Sequence, residues 1–237
     1  MINHMHRSAH PSNQVLQANA QKWRALLEEA PEKHVFKEDQ RSRVWQVEGP
    51  NGPLVVKRFE YAPLRQSIAA LLGQHPAQRE VRANRMLQNL RVQVVPIVAF
   101  GRQRATIGIR YWLATPKYGQ SLDKLLVGPS HLDRTITDAV ANLVQKLQTT
   151  RIFFKDLKTS NILIDHDGQA WLIDVGSART ARSNQHLPRM LAMLDRTARR
   201  DGASRTVRLR CLQSILGPRS GRHQIKQAAR QVAEING

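Results

Sequence analysis

The feature that most constrains this 237-residue chain lies between Ile152 and Gly176. Ile152-Phe153-Phe154 leads into the polar loop Lys155-Asp156-Leu157-Lys158-Thr159-Ser160-Asn161. The apolar run Ile162-Leu163-Ile164, the turn Asp165-His166-Asp167-Gly168 and the run Ala170–Ile173 follow, and the segment ends at Asp174-Val175-Gly176. Asp-Gly between two apolar runs predicts a β-hairpin, because glycine enters the positive-φ conformation that such turns demand. Taken singly, the polar residues read as turn formers, since surface Asp and Asn favour turns. Taken jointly, they do not. Asp, Lys and Asn at set offsets, an intervening hairpin and a second Asp-x-Gly are more than turn chemistry asks for.

The joint pattern resembles the catalytic loop and metal-binding motif of the protein-kinase-like superfamily: an Asp, four residues, an Asn, a strand, a tight hairpin and an Asp-x-Gly. The resemblance implies transfer of a phosphoryl group from ATP to an alcohol. That reaction needs positioning and charge neutralisation more than covalent help. In it Asp156 would accept the acceptor hydroxyl's proton or orient that hydroxyl, and Lys158 would steady the transferring phosphate. Asn161 would hold one magnesium ion (Mg2+), and Asp174 would hold Mg2+ bridging the β- and γ-phosphates. Gly176 would leave the backbone free to turn beside the metal.

The same resemblance makes a demand upstream, where a Lys on the third strand should pair with a Glu on the following helix. Runs rich in Val, Phe and Trp at His34–Lys37, Arg43–Glu48 and Leu54–Phe59 read as strands, with Gly49-Pro50-Asn51-Gly52 as a hairpin turn. Helical spacing covers Ala77–Leu90, with Val81, Met86, Leu87 and Leu90 as its apolar positions. Two more strands are expected over Gln93–Phe100 and Ile107–Leu113. Lys57 then sits on the third strand and Glu80 on the only helix of that half, both as candidate nucleotide-site residues. Leu113–Gly119 would offer backbone groups to adenine. No glycine occurs between Val35 and Val44, where a phosphate loop would lie, so its backbone and Ser42 are the candidates there. Phe154-Lys155 stands where His-Arg usually precedes the catalytic Asp, and Val175 replaces the usual Phe.

The expected architecture is α+β: a two-lobed protein-kinase-like fold with a small antiparallel N-lobe sheet and a reduced helical C-lobe. Residues 1–32 read as an N-terminal extension with one helix from Asn13, residues 33–115 as the N-lobe, and residues 116–237 as the C-lobe. Arg134–Leu147 shows a helical stripe of Ile136, Val140, Leu143, Val144 and Leu147, a short helix is expected over Leu122–Val127, and two or three basic helices are expected from Leu187.

Only 61 residues follow Gly176, and no Ala-Pro-Glu motif occurs among them. The acceptor-binding half is therefore minimal. The short length, the glycine-free loop, Lys-Asp-Leu before the Asn and the basic tail look most like the bacterial lipopolysaccharide kinases. That family implies a sugar or glycolipid acceptor, Kdo or heptose of the inner core, at the cytoplasmic face of the inner membrane. The formal net charge is +19. From Ser177 onward there are 13 Lys+Arg against 3 Asp+Glu, so about half of that charge sits in the last quarter. An anionic membrane surface would attract such a protein by about 1 kcal/mol per nearby basic residue. Two other readings stay open: a minimal RIO-like serine/threonine protein kinase with a protein acceptor, and a pseudokinase scaffold. Nucleic acid is not the expected partner. The lone Cys211 precludes an internal disulfide, and no apolar stretch is long enough to span a bilayer, so the expected location is cytoplasmic with peripheral membrane contact.

Overall fold

Gly52, at φ 111°, closes a tight turn between two eight-residue antiparallel strands, β2 (Ser42–Gly49) and β3 (Gly52–Phe59). The computed structural model describes residues 33–59, 75–104, 109–127, 134–181, 186–217 and 222–236. The helix expected from Asn13 lies outside them. By internal packing the chain falls into two compact units. Among the described residues, 33–59, 97–104 and 109–117 belong to the first and all others to the second.

The first unit is a five-stranded sheet in the order β1-β2-β3-β5-β4, every pairing antiparallel. Its other strands are β1 (His34–Glu38), β4 (Ala99–Arg104) and β5 (Ile109–Pro116). Alternation sends Trp45, Val47, Leu54 and Val56 to one face, where Ala99 and Ala114 complete a small core. Arg43 and Arg58 both lie 5.7 Å from the Trp45 ring. β1 forms one edge of the sheet and is exposed along its whole length, with a bulge at Phe36.

In the second unit, helix α1 (Pro76–Asn89) starts with a capping box. His75 Nδ1 accepts from the Ala77 N–H at 3.2 Å, and Gln78 Oε1 accepts from the His75 N–H at 3.3 Å. The buried stripe is Ala77, Glu80, Val81, Ala83, Asn84 and Leu87. Leu90, expected to face the core, is the exposed C-cap instead. The chain leaves α1 through Arg91 at φ 55°, with Val92 N–H bonded to Leu87 C=O.

The strand expected over Gln93–Phe100 is shorter than its hydrophobicity suggests, and β4 begins only at Ala99. Pro96 has no N–H to donate. The residues before it are used elsewhere. Val94 bridges Leu172 in parallel, Leu172 N–H bonds to Gln93 C=O, and Val95 N–H bonds to Leu172 C=O. Asn84 Nδ2 donates to Val95 C=O at 2.8 Å and pins the same segment to α1.

The second unit continues with β6 (Gln120–Ser121), α2 (Leu122–Leu126) and α3 (Arg134–Thr149). Strands β7 (Ile152–Phe154), β8 (Ile162–Ile164), β9 (Ala170–Leu172) and β10 (Ala178–Thr180) follow. Three helices close the chain: α4 (His186–Arg200), α5 (Arg205–Leu216) and α6 (Arg222–Asn236). Val140, Leu143, Val144 and Leu147 of α3 are buried as their spacing predicts, against Ile152, Phe154, Leu157, Ile162, Leu172 and Met190. Each such fully buried side chain contributes on the order of 1.5–3 kcal/mol. The fold is α+β, with a small antiparallel sheet and a mainly helical second unit.

Candidate active site

Two short strand pairs hold the polar loop of residues 155–161. β7 pairs with β10, Ala178 opposite Phe154 and Arg179 opposite Phe153. All three β7 residues are buried, and Phe154 N–H points to Met190 Sδ at 3.2 Å. On the other side β8 pairs with β9 to form the expected hairpin, with β6 beside β8. Its turn is built by Asp165, whose Oδ1 accepts from the Asp167 and Gln169 N–H groups, with Gly168 at φ 74°. Trp171 Nε1 donates to Asp165 Oδ2 at 2.8 Å.

Inside the loop, burial alternates. Leu157, Thr159 and Asn161 point inward, whereas Asp156, Lys158 and Ser160 are half-exposed. Leu157, fully buried, is worth about 2 kcal/mol as an anchor, more than a single hydrogen bond of about 1 kcal/mol. Lys158 N–H bonds to Asp156 C=O and Asn161 N–H to Lys158 C=O, each at 2.9 Å. The second of these lies in a single 3₁₀ turn, Thr159–Asn161. Asn161 Nδ2 donates to Asp156 C=O, also at 2.9 Å. Because the amide nitrogen is committed to that carbonyl, Oδ1 is the end of Asn161 left to face a cation.

The second carboxylate is tied to the same loop through the backbone. Ile173 N–H donates to Asn161 C=O at 3.0 Å, and Asp156 N–H donates to Ser177 Oγ at 3.3 Å. Asp174 lies between these ties, exposed, in the left-handed conformation at φ 53°, ψ 46°. Among the described residues, two other non-glycine residues have positive φ, Arg91 and Arg151. Both follow helix ends, where that conformation is the usual way to close a helix. Asp174 follows a strand and precedes the Val175–Ser177 turn, with no side-chain capping bond, so closure of a helix C-terminus does not account for it. A non-glycine residue in this region costs on the order of 1 kcal/mol and is typically found where function requires it.

A 3₁₀ turn, Val175–Ser177, follows and packs on α1. Val175 is buried, and Arg79 Nη2 donates to Gly176 C=O at 3.3 Å. A methyl at Gly176 would stand 3.6 Å from Glu80 Cβ, an ordinary contact, so space alone does not call for glycine there. Glu80 itself is buried. Asp156, Lys158, Asn161, Asp174 and Glu80 thus all belong to the second unit, the first four on one bonded loop-and-hairpin assembly and Glu80 on the helix packed against it. Lys57 and Ser42 belong to the first unit. Lys57 lies on β3 opposite Val44 and Leu113, its Nζ 4.8 Å from the Phe59 ring. Ser42 is buried at the end of the β1–β2 loop, and its N–H is spent on Asp39 Oδ1 at 2.8 Å.

Among the described residues no group of three His, Cys, Asp or Glu side chains is arranged to hold a metal. The donors on offer are one carboxylate, Asp174, and one amide oxygen, Asn161. All-oxygen donors in such small number fit Mg2+, which keeps several waters and shares its shell with phosphates.

Reading from the sequence missed the partners of this loop. β10 was invisible because Ala-Arg-Thr has no strand pattern. Thr159, Thr197 and Asp201, which bond to one another, carry no motif at all. The Thr159 N–H donates to Thr197 Oγ1 at 3.2 Å, and its hydroxyl donates to Asp201 Oδ2.

No curated protein matches the chain. The model of the Lipopolysaccharide kinase (Kdo/WaaP) family matches residues 56–208, a span that holds the second half of β3 with Lys57, α1 with Glu80, and the whole loop-and-hairpin assembly. The chain is therefore a kinase, and it belongs to the Lipopolysaccharide kinase (Kdo/WaaP) family.

Proposed function

We propose that this kinase transfers the γ-phosphoryl group of ATP to a hydroxyl of Kdo or heptose in the lipopolysaccharide inner core. The observation that carries the reading is the bonded assembly of Asp156, Asn161 and Asp174 inside the span matched by the family model. In this reading the acceptor oxygen attacks the γ-phosphorus, its proton passes to the Asp156 carboxylate, and the bond from phosphorus to the ADP oxygen breaks. Lys158 steadies charge on the group in flight. Asn161 Oδ1 and Asp174 would hold Mg2+, which supplies charge neutralisation at the phosphates when bound. Residues 33–115 serve the nucleotide, with Lys57 and Glu80 as its candidate residues. Ser42 contributes by closing the β1–β2 loop rather than through its N–H. Residues 116–237 serve the acceptor.

Two further features support a glycolipid over a protein acceptor. The charge of +19 suits an anionic, lipid-rich surface on the cytoplasmic side. A cavity of about 480 Å³ between α4, α5 and α6 has Leu191, Leu194 and Leu212 in its wall beside Arg196, Arg199 and an Arg208 paired with Asp195, an apolar lining with a net basic rim. No helix among the described residues is long and apolar enough to cross a membrane, which leaves peripheral contact as the mode proposed.

Transfer of ³²P from labelled ATP in the presence of Mg2+ tests this, with Kdo-containing glycolipid, heptose-containing glycolipid and the protein alone as acceptors. Label in a glycolipid that falls by about 10²–10⁴-fold with Asp156→Ala is the expected result. Label confined to protein would move the assignment to a serine/threonine kinase.

A further inference from the structure

Asp201 is the last residue before the chain turns away from α4. Gly202 N–H bonds to Arg199 C=O and Ala203 N–H to Ala198 C=O, with Gly202 at φ 98°, a Schellman closure that puts Asp201 at the C-cap. A carboxylate there opposes the helix dipole, whose negative end it shares. This local conflict is offset at a distance. Oδ1 of Asp201 accepts from Arg200 Nε at 2.8 Å, whereas Oδ2 accepts the hydroxyl of Thr159. Burial acts to raise the Asp201 pKa, but the hydrogen bonds from Arg200 and Thr159 prevail and hold it below the usual carboxylate range. Thr159 has no exposed surface, and its N–H is bonded as well, to the buried hydroxyl of Thr197 one turn earlier on α4. That hydroxyl is held in turn by the Met193 and Leu194 carbonyls.

Thr159 lies midway between Asp156 and Asn161. The bonds within the loop set its internal shape. The bonds to Thr197 and Asp201 set where that shape sits relative to the core helix. We propose that Asp201 and Thr159 form a clasp that positions the catalytic loop and sets turnover without touching substrate. This rests on Asp156 and Asn161 being the catalytic and metal-binding residues of the reading above. Misplacing reacting groups by about 1 Å costs on the order of 10²-fold in rate. A loop released from its clasp therefore loses kcat, and ATP binding is largely retained.

The test measures steady-state γ-phosphoryl transfer from ATP to Kdo-containing glycolipid by the full chain, with thermal melting of each variant. Asp201→Ala and the near-isosteric Thr159→Val are expected to lower kcat by about 10- to 100-fold and to leave the KM for ATP within about threefold. The double variant should be no worse than the weaker single one, because both remove one bond. Thr159→Ser and Asp201→Asn, which keep a donor and an acceptor, should recover kcat to within about fivefold of the parent. A purely structural role predicts losses of kcat that follow the melting temperature across the variants. Should Asp201→Ala fail to fold, Thr159→Val decides alone. A folded Thr159→Val with parental kcat, alongside inactive Asp156→Ala, overturns the clasp and leaves the catalytic assignment standing. An active Asp156→Ala overturns that assignment, and with it the clasp's role in turnover.

Discussion

Two polar loops in this molecule are built on opposite plans. The loop of residues 155–161 is bonded to elements far away in sequence: to Ser177, Ile173, Thr197 and Asp201. The β1–β2 loop closes on itself. Asp39 Oδ1 accepts from the Arg41 and Ser42 N–H groups at 2.8 Å, and Lys37 Nζ meets Asp39 Oδ2 at 2.8 Å. These contacts hold the Asp39 carboxyl well below the usual range, the Lys37 ammonium first and the two N–H groups next. The difference separates two ways of fixing a backbone. Long-range bonds to buried partners fix a loop relative to a core. A local turn fixes only the loop's own shape, and here it does so without a glycine.

The contrast can be broken most severely at Asn161. Asn161→Leu removes the tie to Asp156 C=O together with the candidate cation oxygen. Phosphoryl transfer should fall by at least about 10²-fold and Mn²⁺ affinity should drop, read by electron paramagnetic resonance, in a chain that still melts cooperatively. Retained metal affinity would remove Asn161 from the ligand set. A milder change is expected at Asp39. Asp39→Ala opens a self-contained turn, so the KM for ATP should rise by about three- to tenfold, with kcat within about twofold. A kcat loss as large as that of a clasp variant would mean that the two loops are not different in kind.

The smallest effect is a pH dependence at the start of α1. Burial lowers the pKa of His75 below its ordinary 6.5. Its Nδ1 must stay unprotonated to accept from Ala77. The neutral form is thus favoured by folding, so this contribution is fully present above about pH 6.5 and is lost as pH falls toward the lowered folded value. The cap is worth about 1 kcal/mol. Melting followed by circular dichroism should show stability declining below about pH 6.5, with the decline flattened in His75→Asn. An unchanged slope in that variant would assign the decline to other groups.

Local signals in the sequence were read well where the chain obeys its own neighbours. Gly49-Pro50-Asn51-Gly52 and Asp165-His166-Asp167-Gly168 turn as their dipeptides predict, and α3 buries the face that its spacing marks. Lys57 and Glu80 fall on the elements expected for them, and Asp156, Asn161 and Asp174 fall on one assembly. Failures occur where a distant partner decides. Val94 and Val95 have strand-forming side chains, yet their backbone is claimed by Leu172. Leu90 completes an apolar stripe, but the helix ends there. The clasp on Thr159 had no periodicity to betray it, because hydroxyl and carboxylate partners 42 residues apart leave no pattern in either neighbourhood.

The bridge between Val94 and Leu172 has one more consequence. It joins the segment leaving α1 to the strand that ends two residues before Asp174. With Asn84 bonded to Val95 and Arg79 bonded to Gly176, the helix bearing Glu80 and the turn bearing Asp174 share bonds at both ends. A helix so tethered does not swing as a separate part. Local opening would have to release α1, the bridge and the turn together, as one cooperative unit, and the backbone amides of Val95 and Leu172 would exchange with solvent at a common rate. Tilting that helix alone would therefore have to break the Asn84–Val95 and Arg79–Gly176 bonds and pull on the Val94–Leu172 bridge.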